Sequence, residues 1–266
     1  MIAGINLASV PQLSLEKALP RVRAHGFKAV GLWYEPVWVL SVAQVKQQLA
    51  DEGLRVSSLC PAGSFGDQGP EGFEAAVKHT LATIEMAAEL NADCLCLLPG
   101  SYARRQTDFE AARAAGRRGL EAVLPRAQEL GVTVAIEPLH PMYTDGFSVV
   151  NTIAEALEWC TQYGVSLFVD TYHVWWDREL ARVLAQAAGR VAGFHINDWR
   201  RETSDLVQDR AVPGEGVIDL PRIVEAVQKT GYDGVLELEI FSLRHAKDDP
   251  EAWLRRCRES LRAFQV

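Results

Sequence analysis

The sequence predicts an α/β fold, a (β/α)8 barrel forming one domain over residues 1–266, and three observations carry that expectation. Short runs rich in Val, Ile, Leu or Cys occur eight times, each followed by a turn and a longer stretch of helical period. A length of 266 residues suits such a barrel, and 48% hydrophobic residues can fill a large core. Glycines at 26, 53, 131, 164, 189 and 231 stand where helical stretches should end, just ahead of the next strand. A doubly wound sheet would carry a glycine-rich phosphate turn after its first strand, and INLASVPQLS has none.

In chain order the strand candidates begin with AGINL (3–7), FKAVGLW (27–33), LRVSSLC (54–60) and ADCLCLL (92–98). VTVAIE (132–137), VSLFVD (165–170), VAGFHI (191–196) and GVLELEI (234–240) follow. Between them lie the helical stretches LSLEKALPRVRAHG, SVAQVKQQLADEG, FEAAVKHTLATIEMAAEL, FEAARAAGRRGLEAVLPRAQEL, VVNTIAEALEWCTQYG, DRELARVLAQAAG and LPRIVEAVQKTG. A final PEAWLRRCRESLRAF closes the chain.

A formal charge of −8 and a pI near 5.3 disfavour a nucleic-acid partner. The start, MIAGINLASV, has no basic stretch leading into a long apolar one, and no run approaches the ~18 apolar residues of a membrane span. The expectation is a soluble, cytoplasmic protein with no membrane partner; a homo-oligomer is compatible with these numbers. Five cysteines (Cys60, Cys94, Cys96, Cys160, Cys257) are an odd number without a framework spacing, so all five are read as reduced and none as a metal ligand.

Four strand candidates end in an ionisable group: VTVAIEP at Glu137, VSLFVDTYH at Asp170 with His173, VAGFHIND at His195 and VLELEIF at Glu239. Such a group is costly to bury unless it meets a partner or a cation, so four in succession point to convergence. In a barrel they would stand on adjacent strands at the C-terminal mouth, where active sites form. Alternation would place Thr133 and Ala135 below Glu137, and Ser166 and Phe168 below Asp170. Three carboxylates and one imidazole suit one divalent cation, Mn²⁺, Mg²⁺ or Co²⁺, better than a structural zinc site. Glu237 shares the inward face of Glu239, and the ligand is assigned to Glu239 because it lies nearer the strand end. The bland reading of His173 is a ring satisfied by backbone carbonyls.

Residues 197–217 exceed an ordinary βα loop and carry Trp199, Arg200, Arg201, Arg210 and the turn PGEG, so they are expected to form a lid or substrate clamp. His25, His79 and His245 fall on helix ends or loops and read as solvated, while His140 follows Glu137 closely enough to line the mouth. Trp33, Tyr34, Trp175, Trp176 and Trp199 are candidates for packing or for a sugar-stacking wall, with Trp33 taken as a substrate contact.

A metal held between Glu137 and Glu239 suits a hydroxy-carbonyl substrate. One glutamate would remove the proton beside the carbonyl, and the second could return it. Return on the opposite face inverts a carbon; return to the neighbouring carbon isomerises.

The combination AIEPLHP, VDTYH, GFHINDW, RAVPGEGVIDL and GYDGVLELEIF, with GFKAVGLW near the N-terminus, resembles the sugar isomerase/epimerase superfamily with a xylose-isomerase-like TIM barrel. That group includes tagatose and psicose 3-epimerases, hydroxypyruvate isomerase, inosose isomerases and dehydratases, and distantly the apurinic-site endonucleases. The resemblance implies that Glu137, Asp170, His195 and Glu239 hold one divalent metal, that Glu137 and Glu239 are the acid/base pair, and that His173 and Arg201 contact substrate oxygens. Tyr143 stands where the ketose 3-epimerases tend to have an acid, and the Asp209-Arg210 and PGEG pattern is closer to the inosose and hydroxypyruvate branches.

The expected function is isomerisation or epimerisation of a small carbohydrate, inosose or related hydroxy-carbonyl compound. The segment after the eighth strand, IFSLRHAKDDP, has no glycine for a backbone phosphate cradle. An unphosphorylated substrate is therefore expected, with Arg201 and Arg210 on its oxygens. The rival readings are a dehydratase acting on a keto-inositol or a dehydroshikimate-like ring, an apurinic-site endonuclease, and a sugar-binding barrel without catalysis.

Overall fold

The computed structural model describes residues 1–34, 40–66, 69–101 and 108–265. Seven strands come first: β1 (Ile2–Asn6), β2 (Ala29–Trp33), β3 (Arg55–Gly63), β4 (Leu95–Leu98), β5 (Val134–Ile136), β6 (Ser166–Asp170) and β7 (Val191–Ile196). Two short strands follow, β8 (Asp198–Trp199) and β9 (Arg210–Ala211), before β10 (Val235–Leu238). β1 to β7 and β10 close a parallel barrel in the order of the chain, with β10 pairing both β7 and β1; β8 and β9 form an antiparallel hairpin inside the loop after β7. This is the predicted (β/α)8 barrel.

The helices among the described residues are α1 (Leu15–Ala24), α2 (Val42–Glu52), α3 (Gly69–Leu90), α4 (Phe109–Leu130), α5 (Ile153–Tyr163), α6 (Thr171–Val174), α7 (Leu180–Leu184), α8 (Leu220–Lys229) and α9 (Pro250–Ser260). Side chains start several of them. Ser41 and Gln44 make a reciprocal capping box at α2, while Asp108, Thr152, Asp219 and Asp249 cap α4, α5, α8 and α9. Gly53, Gly131 and Gly164 end their helices in the left-handed region, as the spacing predicted. The stretch DRELARVLAQAAG is helical only over α7, with α6 as a separate turn straight after β6. No described helix is long and apolar enough to cross a membrane.

Val, Ile and Leu side chains from the strands and the inner helix faces merge into one buried core. A smaller cluster of Cys60, Cys94, Cys96, Leu98, Ala135, Leu139, Tyr143 and Phe168 is packed beside it. Thr133 is exposed and precedes β5, so the inward column beneath Glu137 is Ala135 alone. All five cysteines are buried and free.

Gly31 shows how tightly the barrel interior is filled. It pairs with Asn6 on one side and Ser58 on the other, and a Cβ there would overlap the Glu237 carboxylate. Gly31→Ala should therefore cost about 1–3 kcal/mol by overpacking, read as a lower urea midpoint. An unchanged midpoint would show that Glu237 can move aside freely.

Candidate metal centre and active site

Strand register brings the ionisable strand ends together. His195 is paired across the sheet with Asp170 of β6 on one side and with Glu237 of β10 on the other. Residues level with one another on parallel neighbours share a face, so these three make one inward layer. Glu239 stands one layer higher, just past β10, and Glu137 just past β5. All five are buried.

The two nitrogens of His195 have different surroundings. Nε2 lies 2.9 Å from Glu237 Oε1, and that carboxylate also accepts from Asn6 Nδ2 at 2.9 Å and Ser58 Oγ at 2.9 and 3.0 Å. Nδ1 faces the mouth, 3.4 Å from Glu239 Oε2 and 3.8 Å from Asp170 Oδ2. It is buried without a hydrogen-bond partner among the described residues. Glu237 is thus the anchor of the imidazole, and Glu239 is the carboxylate that meets its free edge. A ring nitrogen held by a carboxylate while the other faces open ligands is the usual arrangement at a histidine-bound metal.

Glu137, Asp170 and His195 each place one ligand atom within 4.8 Å of the others. Asp170 Oδ1 accepts from Asn197 Nδ2 and the Tyr172 N–H, both at 2.8 Å. Asp170 Oδ2 accepts from Arg210 Nη1 at 3.0 Å, and the same nitrogen donates to Glu239 Oε2 at 2.8 Å. The guanidinium lies 4.6 Å from the Tyr172 ring centre and 4.7 Å from that of Phe241, a cation gripped by two aromatic faces.

With all its carboxylates ionised and His195 neutral, the site would be short of positive charge. Three carboxylates at the mouth face one guanidinium, and a divalent ion would make up the difference. The site collects protons instead. Burial, together with Asp170 and Glu239, pushes Glu137 up to about 8, although His195 opposes this. Burial would strip the proton from His195, but Glu239 and Glu237 hold it there well above the usual histidine range. Asp170 stays ionised: burial raises it, and Arg210, His173 and His195 together overcome that. Oxygen-rich donors, an imidazole nitrogen without a hydrogen-bond partner among the described residues and carboxylates crowded enough to hold a proton all fit a hard or borderline divalent cation.

His173, on α6, is buried with Nε2 3.7 Å from Asp170 Oδ2 and 3.4 Å from Arg210 Nη2. Its Nδ1 accepts the His140 N–H at 3.4 Å, so the ring faces the cluster with its other nitrogen. Burial drives its pKa down to about 3, opposed by Asp170 and helped by Arg210. It is a neutral ring, able to accept or donate one hydrogen bond.

The loop after β7 is ordered by buried acids. Asp198 accepts from the N–H groups of Trp199, Gly214, Gly216 and Ile218, and a Cβ at Gly216 would collide with it. Asp209 takes Arg200 Nε at 3.1 Å, Arg244 Nε at 2.6 Å, and the Ser204 N–H and hydroxyl. The Leu206 carbonyl accepts both the Tyr143 hydroxyl at 3.0 Å and the Tyr172 hydroxyl at 2.9 Å, which ties the loop to the two rings that flank His173.

The predicted site residues separate accordingly. Glu137, Asp170, His195, Glu239, His173 and Arg210 form one cluster. Arg201, expected on substrate oxygens, is exposed on the loop, and its neighbour Arg200 is spent on Asp209. Trp33 is half-buried and meets Phe241 edge-on at 5.5 Å, one ring away from Arg210, where it lines a cavity of about 420 Å³. His140 contacts Trp176 and Trp199 at the mouth as expected, whereas His25 and His245 are paired with Glu251 and Asp248 rather than solvated. Asn197, Cys96, Asn6 and Ser58 escaped the sequence reading. Asn197 stands in the quoted GFHINDW, but nothing in that string says its amide reaches Asp170.

This arrangement defines a (β/α)8 barrel with a candidate metal cage at the C-terminal ends of its strands. The chain belongs to the xylose isomerase-like TIM barrel family, whose model matches residues 19–264. It is 25% identical over 236 residues to a ketose 3-epimerase of Arthrobacter globiformis, covering 85% of this chain and 77% of the relative. It is 23% identical over 230 residues to an inosose isomerase of Bacillus velezensis, covering 84% and 80%. The crystal structure of protein SMc04130 from Sinorhizobium meliloti 1021 is 35% identical, with a TM-score of 0.95 over 98% of this chain and 97% of that one.

The raised Glu137 pKa has a definite sign in stability. An acid whose pKa rises from 4.5 to about 8 on folding stabilises the metal-free protein fully below pH 4.5 and loses that contribution as pH climbs through 8. Thermal unfolding of chelator-treated protein should therefore fall in Tm between about pH 5 and 8, and Glu137→Gln should flatten that decline. Added Mn²⁺ should raise Tm more at pH 8 than at pH 6, because binding must displace the proton. A wild-type profile superimposable on that of Glu137→Gln would remove the assignment.

Proposed function

We propose that this chain is a divalent-metal-dependent isomerase or epimerase of a small unphosphorylated sugar, inosose or other hydroxy-carbonyl compound. One observation carries the reading: ligand atoms of Glu137, Asp170 and His195 converge at the mouth of the barrel, with Glu239 Oε2 3.4 Å from His195 Nδ1. Kinship with a ketose 3-epimerase and an inosose isomerase supports it.

Glu137, Asp170, His195 and Glu239 would hold the ion, with Mn²⁺, Mg²⁺ or Co²⁺ suited to the donors. When bound, the ion supplies the positive charge that polarises a substrate carbonyl. Glu137 and Glu239 stand just past β5 and β10, on either side of the Asp170 and His195 strands, so one carboxylate could reach each face of the substrate carbon. One takes the proton beside the carbonyl to give an enediolate, and the other, or the same one at the neighbouring carbon, returns it. His173, neutral and fixed, would turn its Nε2, 3.4 Å from Arg210 Nη2, toward a substrate hydroxyl. Arg210 takes the role of oxygen contact that the sequence had assigned to Arg201 as well. Its attachment to Asp170 and Glu239, and the lack of glycine after β10, argue for a substrate without phosphate. Trp33 is kept as an apolar wall next to Phe241.

A screen of solvent-deuterium exchange into ketoses, inososes and hydroxypyruvate with Mn²⁺ tests the reaction class. Product with unchanged mass apart from deuterium is expected; loss of water would transfer the assignment to a dehydratase. Glu137→Gln and Glu239→Gln should each lower turnover by about 10²–10⁴-fold while retaining metal. Near-normal turnover in both metal-loaded variants would place the proton carrier elsewhere. His195→Ala should lose metal and His173→Ala should keep it, at the expense of KM; equal metal loss would reverse the two roles.

A further inference from the structure

We infer that Cys96 is a positioning residue for Glu137, its thiol holding that carboxylate turned toward Asp170 and His195. The inference rests on the reading of Glu137 as a metal ligand.

Cys96 lies on β4 opposite Ala135 of β5, so its side chain is one layer beneath Glu137 on the same inward face. Its Sγ donates to Glu137 Oε2 at 3.4 Å, and both groups are buried. The other carboxylates of the cluster have strong donors. Asp170 has the Asn197 amide, a backbone N–H and Arg210; Glu239 has Arg210; Glu237 has Asn6 and Ser58 beside His195. For the Glu137 carboxylate, Cys96 is the one hydrogen-bond donor found among the described residues.

The surroundings explain why a thiol serves there. Beneath Glu137 the barrel is filled by Cys60, Cys94, Ala135 and Phe168, an apolar layer in which a hydroxyl or amide would need further partners of its own. A thiol packs as a small hydrophobe and still offers one weak donor. Without it, a buried carboxylate oxygen is left unpaired and the Glu137 side chain loses the contact that selects its rotamer. Groups that orient a ligand from behind typically change metal affinity by about 10–100-fold when removed.

The test uses Cys96→Val, which keeps the volume and suits a strand but cannot donate, Cys96→Ser, which keeps a donor, and Glu137→Ala as reference. Each metal-stripped protein is titrated with Mn²⁺ by calorimetry, alongside thermal unfolding. Cys96→Val should weaken Mn²⁺ binding by about tenfold, and Cys96→Ser should recover most of that loss. Affinity in Cys96→Val within twofold of wild type would overturn the inference. So would a serine variant as impaired as valine, since that would trace the effect to packing. Should Glu137→Ala itself bind Mn²⁺ as well as wild type, the underlying reading of Glu137 as a ligand would fall, whatever the cysteine variants do.

Discussion

Everything at the mouth of this barrel depends on the Glu237–His195 pair. The carboxylate is locked by Asn6 and Ser58 in a space kept open by Gly31, and it grips the far nitrogen of the imidazole. The near nitrogen is thereby aimed at Asp170 and Glu239. A buried charge held in this way is fixed in place, because any rotation would break several buried hydrogen bonds at once. That layer of Asp170, His195 and Glu237 is where the barrel core meets the candidate site.

Negative charge is the second constraint. A cluster of buried acids destabilises a fold unless cations or protons enter it, and here Arg210 supplies part of the compensation from the β8–β9 hairpin rather than from a barrel strand. Burial and neighbouring carboxylates leave Glu137 ready to bind or release a proton, which is the property an acid/base group needs. In the proposed reading, affinity for a cation and the capacity to move a proton would have a common electrostatic origin.

The barrel was readable because its strands are short apolar runs and its helices end on glycine, both local signals. The four ionisable strand ends stood out because burying an acid or an imidazole at such a place demands a reason, and the structure brings ligand atoms of Glu137, Asp170 and His195 within 4.8 Å of one another. Glu237 against Glu239 came down to one layer of the sheet, which strand ends alone approximate but register decides. What lay beyond the sequence were contacts between distant strands: Cys96 with Glu137, Asn6 and Ser58 with Glu237. Arg201 and Arg210 illustrate the same limit within one loop. Both are arginines in a polar stretch, and only the β8–β9 hairpin and the Asp209 anchorage turn one inward and leave the other exposed.

Barrels of this kind diversify by exchanging the loops above a constant frame. The loop after β7 is less free to be exchanged. Asp198 stitches its return turn to the strand end, and Arg210 carries part of the charge on which Asp170 and Glu239 depend. A replacement loop of the same length but without that arginine would change the net charge of the carboxylate cluster itself. Under the proposed function, substrate cover and metal selectivity would be inherited together.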